Sequence, residues 1–560
     1  MSAVLIERHD QLDLHVYRRI VFDRAPVVLS PALLDTVQRT REALLAHLEA
    51  GASAYGVTTG LGLFAGRSVA PDDQAAFQRS ILAGRAAGTG PPLSEPVVRG
   101  TMLLRLTGFL SGHSGVSAEL CRFIADRLND GWYPVVPGGV SGAAGEIVPL
   151  AHLFGTLVGD GFVRARPDEL AAEAARAARD VPADQQLAAR DVPAEPARAA
   201  RDIPADIPAE PARAARDVPA EPALTARGVP PYELGAKEGI ALINGAPLAP
   251  ALAVPLLLRA EALLEHATLC GALAIALTGA PARPYSPRVG ELKGDPGQRA
   301  IHDRLWSLLD PRPDRLDDTR QAPVSLRVIP QVHGAAADLL DHVRAQLERE
   351  LRAVTDSPAY LPAAGAEPEG LYSTGNFHAQ YLVLLLHATA TAFTQVVNLL
   401  EKRLHRLLDA RFSKLPDQLT ADPGRQSGVV VLHKQVIGIA ARARTLAAPG
   451  AIHVTDGSTG QEDFQAHTLL AATQLDAILD ALELALAHEL VALRQARHLG
   501  GAPLPSQLEN PLARVADVVP PVVEDRALAA DVRRCRALVA SGRLGGGVAS
   551  PSIWSSPTPA

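Results

Sequence analysis

Residues 382–408 read LVLLLHATATAFTQVVNLLEKRLHRLL, and residues 468–493 read TLLAATQLDAILDALELALAHELVAL. Neither stretch contains Pro or Gly, and in both the apolar side chains recur every three or four positions. That period puts them on one broad stripe of an α-helix, and about 26 residues at a rise of about 1.5 Å make a rod of about 40 Å. Rods with such wide apolar faces predict long buried helices in a central bundle, hence an all-α fold. Elsewhere strand-like alternation is rare and only 4% of residues are aromatic, so no major sheet is expected.

The chain has 560 residues, 47% of them hydrophobic, enough for a large core and more than one folding unit. Its 54 Lys and Arg against 61 Asp and Glu give a formal charge of −7, with neither sign dominating a long stretch. No basic field invites nucleic acid or an anionic membrane, so neither partner is expected. Cys121, Cys270 and Cys535 lie far apart, with no CxxC pair and no His cluster at ligand spacing. They read as reduced structural thiols, and no metal site is expected. The opening MSAVLIERHDQLDLHVYRRI breaks every apolar run with charge, unlike a signal peptide. The longest apolar runs, such as 382–386 and 240–243, are too short to span a bilayer. A cytoplasmic location is the expectation.

One region departs from this pattern. ARDVPA begins at Ala178 and Ala189, ARDIPA at Ala200, ARDVPA at Ala215 and ARGVP at Ala226, at spacings of 11, 11, 15 and 11 residues. Stacked repeats need a buried face, whereas each copy here carries a Pro and almost no large apolar residue. Residues 163–229 therefore read as a flexible, low-complexity insertion. It separates an N-terminal unit, 1–162, from a unit of helical bundle and C-terminal helices, 230–544. The last residues, 545–560, read as a frayed tail.

Polar segments between the helices carry a resemblance. YGVTTGLG (55–62) is similar to the Y-G-x-N-T-G-F-G loop of the histidine and aromatic amino-acid ammonia-lyases, and QRSILAGRAAGTG (78–90) to their Q-x-x-L-x-x-S-H-A-A-G-x-G segment. LTGFLSGHSGV (106–116), VPGGVSGAAGEIVPLAHL (136–153), LGAKEGIALINGAP (234–247) and QAPVSLRVIPQVHG (321–334) follow in that family's order. AVTDSP (353–358) with STGNFHA (373–379), and then GQEDFQAH (460–467), complete it. The resemblance covers nearly the whole chain outside the repeats. It implies a fumarase/aspartase-type bundle of long helices, a homotetramer with loops from several subunits in each site, and elimination of ammonia from an α-amino acid.

The family's electrophile, 4-methylidene-imidazol-5-one, is implied to arise from an Ala-Ser-Gly tripeptide. The Gly nitrogen attacks the Ala carbonyl, and the serine hydroxyl leaves as water. Here the tripeptide is Ala143-Ala144-Gly145, fixed in register by Gly142 before it and by Glu146, Pro149 and His152 after it. Ala144 has no hydroxyl to lose, so the expectation is a site without this cofactor. Ser141, in Val140-Ser141-Gly142, is the one nearby alternative, displaced by three residues; it otherwise reads as a turn residue. Further departures surround the tripeptide: Glu146 for the family's Asp, Thr58 and Ser357 for its Asn residues, Arg85 for its His and Val324 for its Tyr.

Other positions match. The resemblance makes Tyr55 the catalytic base, which must give up its own phenolic proton to accept another. It makes Arg327 the carboxylate clamp, a role suited to a planar fork of donors. Asn244 would touch the substrate amine, with Gln321 and Asn376 nearby, although each of these could equally be a structural amide. Arg85 and Glu462 fall at positions that sort the substrate side chain. Arg85 either recruits an anionic or carbonyl-bearing group or neutralises Glu462. His152, His333 and His378 read as core residues. Three functions stay open: a diverged elimination, addition or isomerisation on a small carboxylate substrate, ordinary ammonia-lyase activity with a displaced cofactor, and an inactive binding or regulatory subunit.

Overall fold

Four long helices form the centre of the computed structural model, which describes residues 2–165, 217–311, 316 and 320–545. They are α1 (Leu248–Leu277), α2 (Ile329–Glu350), α3 (Gln380–Leu407) and α4 (Thr468–His498). The two helices expected from apolar periodicity are α3 and α4; α3 nearly coincides with its periodic stretch and α4 runs five residues beyond its own. They pack along one another, α1 lies against both, and α2 closes the bundle on α1 and α3. α1 is buried along almost its whole length despite Pro255 within it, because packing on every side outweighs local propensity. Gly271 of α1 lets α2 close in, since a Cβ there would come within 3.0 Å of Ile329.

Charge is buried inside this bundle as well as apolar surface. Arg403 of α3 donates through Nε and Nη2 to both carboxylate oxygens of Glu489 of α4, at 2.6 and 2.7 Å, with both side chains 0% exposed. Arg259 of α1 reaches Asp476 of α4 at 2.6 Å. Cys121, Cys270 and Cys535 are free and buried, as expected of structural thiols.

The described strands form only three two-stranded sheets, so the expectation of an all-α fold holds. β1 (Val4–Ile6) pairs in parallel with β2 (Val27–Leu29), β3 (Phe162–Arg164) antiparallel with β4 (Asp217–Pro219), and β5 (Ala359–Leu361) antiparallel with β6 (Gly370–Tyr372).

Two expectations need correction. Residues 166–216 of the expected insertion lie outside the described residues, but 217–229 do not behave as a flexible insertion. β4 zips onto β3, Arg164 pairs with Asp217 at 3.2 Å, and the following helix Ala220–Ala226 buries Ala220, Ala223 and Leu224. The copy of the repeat at Ala215 thus ends in a paired strand, with Val218 packed against the core and Leu224 buried just after it. Removing residues 171–227 is accordingly expected to lower Tm by several degrees, since losing a buried leucine alone costs about 2–5 kcal/mol. Removing 171–212, which spares the hairpin, is expected to leave Tm within about a degree, and thermal unfolding of the two deletions checks both.

The second correction concerns apolar length. The helical stretches Glu238–Leu277 and Gln380–Leu407 are long and apolar enough to cross a membrane by composition, although their contiguous apolar runs looked too short. Of their most apolar windows, 94% and 61% are buried inside the protein, which is where a core helix puts such residues.

Candidate active site

The tripeptide sits at the mouth of the short helix Ile147–Gly155. Ala143, Ala144 and Gly145 are half-buried, and the N–H of Ala144 donates to Glu462 Oε2 at 2.8 Å. The other oxygen of Glu462 accepts from the Ser458 hydroxyl at 3.0 Å, so this carboxylate holds the tripeptide loop to the 458–462 turn within one chain. The Ala143 N–H points back to Ser141 Oγ at 3.3 Å. Phe377 presses on Gly145 so closely that a Cβ there would lie 3.3 Å from the ring.

Glu146 follows the tripeptide and is buried. Its two oxygens accept from the N–H groups of Leu248 and Ala249 at 2.6 and 2.7 Å, capping the free amides at the start of α1. Burial pushes its carboxyl up to about 8, while the two N–H donors and Arg105 pull the other way. The tripeptide is therefore anchored on one side to α1 and on the other to the loop before α4.

A cavity of about 20 Å³ lies at this junction, lined by Ser141, Ala143, Gly145, Phe377, His467 and Leu469 among others. That holds about one water molecule and no amino acid. Tyr55, Arg85, Asn244, Gln321, Arg327 and Asn376 do not line it, so one chain assembles the floor of a site rather than an enclosed pocket.

Tyr55 is half-buried on its glycine-rich loop, and its hydroxyl accepts from the Gly62 N–H at 2.9 Å. The turn Gly62–Phe64 rests against the turn Ser458–Gly460, which brings the tyrosine loop to the segment that carries Glu462. Gln78, fully buried, fixes the base of this loop. Its Nε2 donates to the Gly56 carbonyl at 2.8 Å, and its Oε1 accepts from Ile240 N at 3.0 Å.

Asn244 ends the helix Glu238–Ile243, and its carbonyl accepts from Arg105 Nη2 at 2.6 Å. Arg327, half-buried at the end of the short helix Val324–Arg327, donates through Nε to the Ala322 carbonyl at 2.9 Å. That leaves the rest of its guanidinium without a hydrogen bond among the described residues. Gln321 and Asn376 are exposed, and Asn376 Nδ2 reaches the Val354 carbonyl at 3.4 Å. Arg85 is half-buried and forms no ion pair among the described residues, so it does not neutralise Glu462 within one chain. Of the three histidines that read as core residues, only His333 is fully buried. His152 Nε2 accepts from the Gly88 N–H at 2.8 Å, and buried His333, pushed down to about 3, bonds Thr268 at 2.9 Å.

Sequence reading missed the supports: Gln78, Arg105, Lys237 and Asp356. All four fall inside or beside the matched motifs, and only Arg105, a charge flanked by Leu104 and Leu106, carried a signal of its own.

The comparisons with known proteins agree with this geometry. The family model described as aromatic amino acid lyase matches residues 12–194 and 209–519. Histidine ammonia-lyase of Anaeromyxobacter sp. (strain K) is 32% identical over 97% of this chain and 100% of its own length. That of Geobacillus thermodenitrificans is 31% identical over 92% and 93%. Among solved structures, a tyrosine aminomutase from Streptomyces globisporus superposes with a TM-score of 0.81 at 25% identity, covering 97% of each chain. An ergothionase from Treponema denticola superposes at 0.83 and 22%, over 97% and 99%, a likeness of fold.

One expectation falls with these findings. The chain was expected to work with no cofactor, whereas it sits among proteins whose members use 4-methylidene-imidazol-5-one. Residues 143–145 offer no side-chain oxygen and do not fit the dehydration that makes the group from this tripeptide. From residue 12 to residue 519, in motif order, in fold and in the loops that meet at the tripeptide, the chain belongs to the aromatic amino acid lyase family and is a carbon–nitrogen lyase by descent.

Proposed function

We propose that the protein acts on a small α-amino acid, breaking, forming or moving its carbon–nitrogen bond. Tyr55 takes the proton next to that bond, Arg327 holds the carboxylate, and Asn244 faces the amino group. Gln321 and Asn376 complete the polar wall, and Arg85 and Glu462 select the side chain. The observation that carries this reading is the contact of Glu462 with the Ala144 N–H, made on the same turn against which the tyrosine loop rests. That meeting of the tyrosine loop, the Glu462 turn and the tripeptide loop supports the roles proposed for Tyr55 and Glu462. The names of the relatives make L-histidine the first substrate to test, with Glu462 facing the imidazole; Arg85 favours a side chain with an acceptor group.

The exposure of the loops carrying Arg85, Gln321 and Asn376 suits a homotetramer in the cytoplasm, in which neighbouring copies close the pocket. Light scattering of a stable monomer would count against it. Ammonia release from a panel of amino acids tests the chemistry, with L-histidine and acceptor-bearing side chains compared directly. Arg327→Ala is expected to weaken substrate binding about 10- to 100-fold, because a charge-assisted arginine–carboxylate contact contributes about 1.5–3 kcal/mol. Calorimetry on the two proteins measures it. The methyl group at Ala144 favours a second reading, a binding or regulatory subunit that holds ligand without turnover.

A further inference from the structure

Between the helix Glu95–Phe109 and the segment before β5 lies a cluster of charge with almost no access to water. Arg105, Lys237 and Asp356 are 3%, 0% and 1% exposed. Lys237 Nζ meets one oxygen of Asp356 at 2.9 Å and Arg105 Nη2 the other at 3.2 Å. Removing two cations and an anion from water is costly, and nothing about burying apolar surface requires it.

The connections run to both site amides. On one side Arg105 donates to the Asn244 carbonyl at 2.6 Å, and a Cβ on Gly245 would come within 2.3 Å of its guanidinium, so the Asn244–Gly245 peptide lies on the arginine. Thr355, beside Asp356, accepts from Ala246 N at 3.0 Å. On the other side the Asp356 carbonyl accepts from the Thr374 hydroxyl at 3.0 Å, and Ser357 exchanges hydrogen bonds with the Thr374 backbone at 3.0 and 3.1 Å. The Asn376 N–H then reaches Thr374 Oγ1 at 3.4 Å. Lys237 itself sits at φ +68, in the left-handed region, immediately before the helix that ends at Asn244. A lysine held there marks a position that its surroundings over-determine.

We propose that Arg105, Lys237 and Asp356 are positioning residues that hold the Asn244 and Asn376 loops in one fixed register, so that Asn244 meets the amino end of the substrate with Asn376 in the polar wall beside it. Asp356 is the hub and the two cations aim it, Lys237 from the chain leading into Asn244 and Arg105 from the helix behind. The proposal rests on the reading of Asn244 and Asn376 given above and adds the device that sets them.

Lys237→Met is the variant of choice, because it keeps the apolar stem and leaves Arg105 and Asp356 as a neutral pair. Hydrogen exchange of the full chain is expected to rise at least about tenfold in residues 244–249 and in residues 372–379 together, with α4 unchanged. Lys237→Gly, which suits the left-handed backbone without the ammonium, is expected to behave alike, and Lys237→Arg to return most of the protection. Exchange that rises only near residue 237, rises throughout the chain, or stays at the wild-type level in Lys237→Gly overturns the proposal.

A second arm uses L-histidine and 3-(imidazol-4-yl)propionate, which lacks the amino group. In Lys237→Met, L-histidine is expected to bind about tenfold more weakly while the deamino acid holds within about twofold. Equal weakening of both would reduce the triad to a structural part and overturn its role toward the amine. A wild-type protein that does not favour L-histidine over the deamino acid would instead sink the assignment of the amides, while the exchange arm still decides whether the triad couples the two loops.

Discussion

Tyr55→Phe is expected to lower kcat by about 100- to 10,000-fold while leaving ligand binding within about twofold. The ring of Tyr55 is half-buried on its loop, and its only polar contact among the described residues is the one it accepts from Gly62 N. Phenylalanine keeps the ring and its packing and deletes the single oxygen able to exchange a proton with substrate. The loss of one neutral hydrogen bond, about 0.5–1.5 kcal/mol, would loosen the loop slightly and does not account for so large a fall. Steady-state kinetics on the amino acid giving the highest ammonia release, together with calorimetric binding, reads both halves. If binding and every turnover survive the substitution unchanged, Tyr55 is no base and the binding-subunit reading takes its place.

The largest expected effect on stability lies inside the helical bundle, at the pair between α3 and α4. Arg403→Met would leave Glu489 charged, 0% exposed and without its bidentate donor between α3 and α4. Stripping one member from a buried pair costs about 3–5 kcal/mol, which should appear as a fall of several degrees in Tm. The cost falls on the charge left behind, so Arg403→Met with Glu489→Leu is expected to recover most of the loss. Differential scanning calorimetry of the single and double variants decides this. A double variant no better than the single one would mean that shape, and not charge, governs the position.

The two ends of the molecule's legibility are set by how each feature writes itself into local pattern. α3 and α4 space their apolar residues regularly among polar ones and betray themselves by period. α1 is apolar all round, with Pro255 inside it, so it has no period to read and only length and packing reveal it. The boundary of the repeat region was misread because ARDVPA at Ala215 has the composition of its neighbours, while its structure is decided by a strand 53 positions away, as the bond from Arg164 to Asp217 shows. At the site, Tyr55, Glu462 and the tripeptide were legible through their motifs. Their supports were not, because Arg105, Lys237 and Asp356 come from three distant segments, and only the fold brings their charges together.

The hairpin of β3 and β4 has a consequence for how this chain can change length. Arg164 and Asp217 sit side by side, so the two ends that residues 165–216 join lie together in the fold. Loop closure grows only logarithmically with length, about 0.6 kcal/mol per doubling. A tandem copy gained or lost by slippage in the coding sequence would therefore scarcely alter the folding equilibrium. The same junction is the natural port for grafting a foreign domain onto the enzyme.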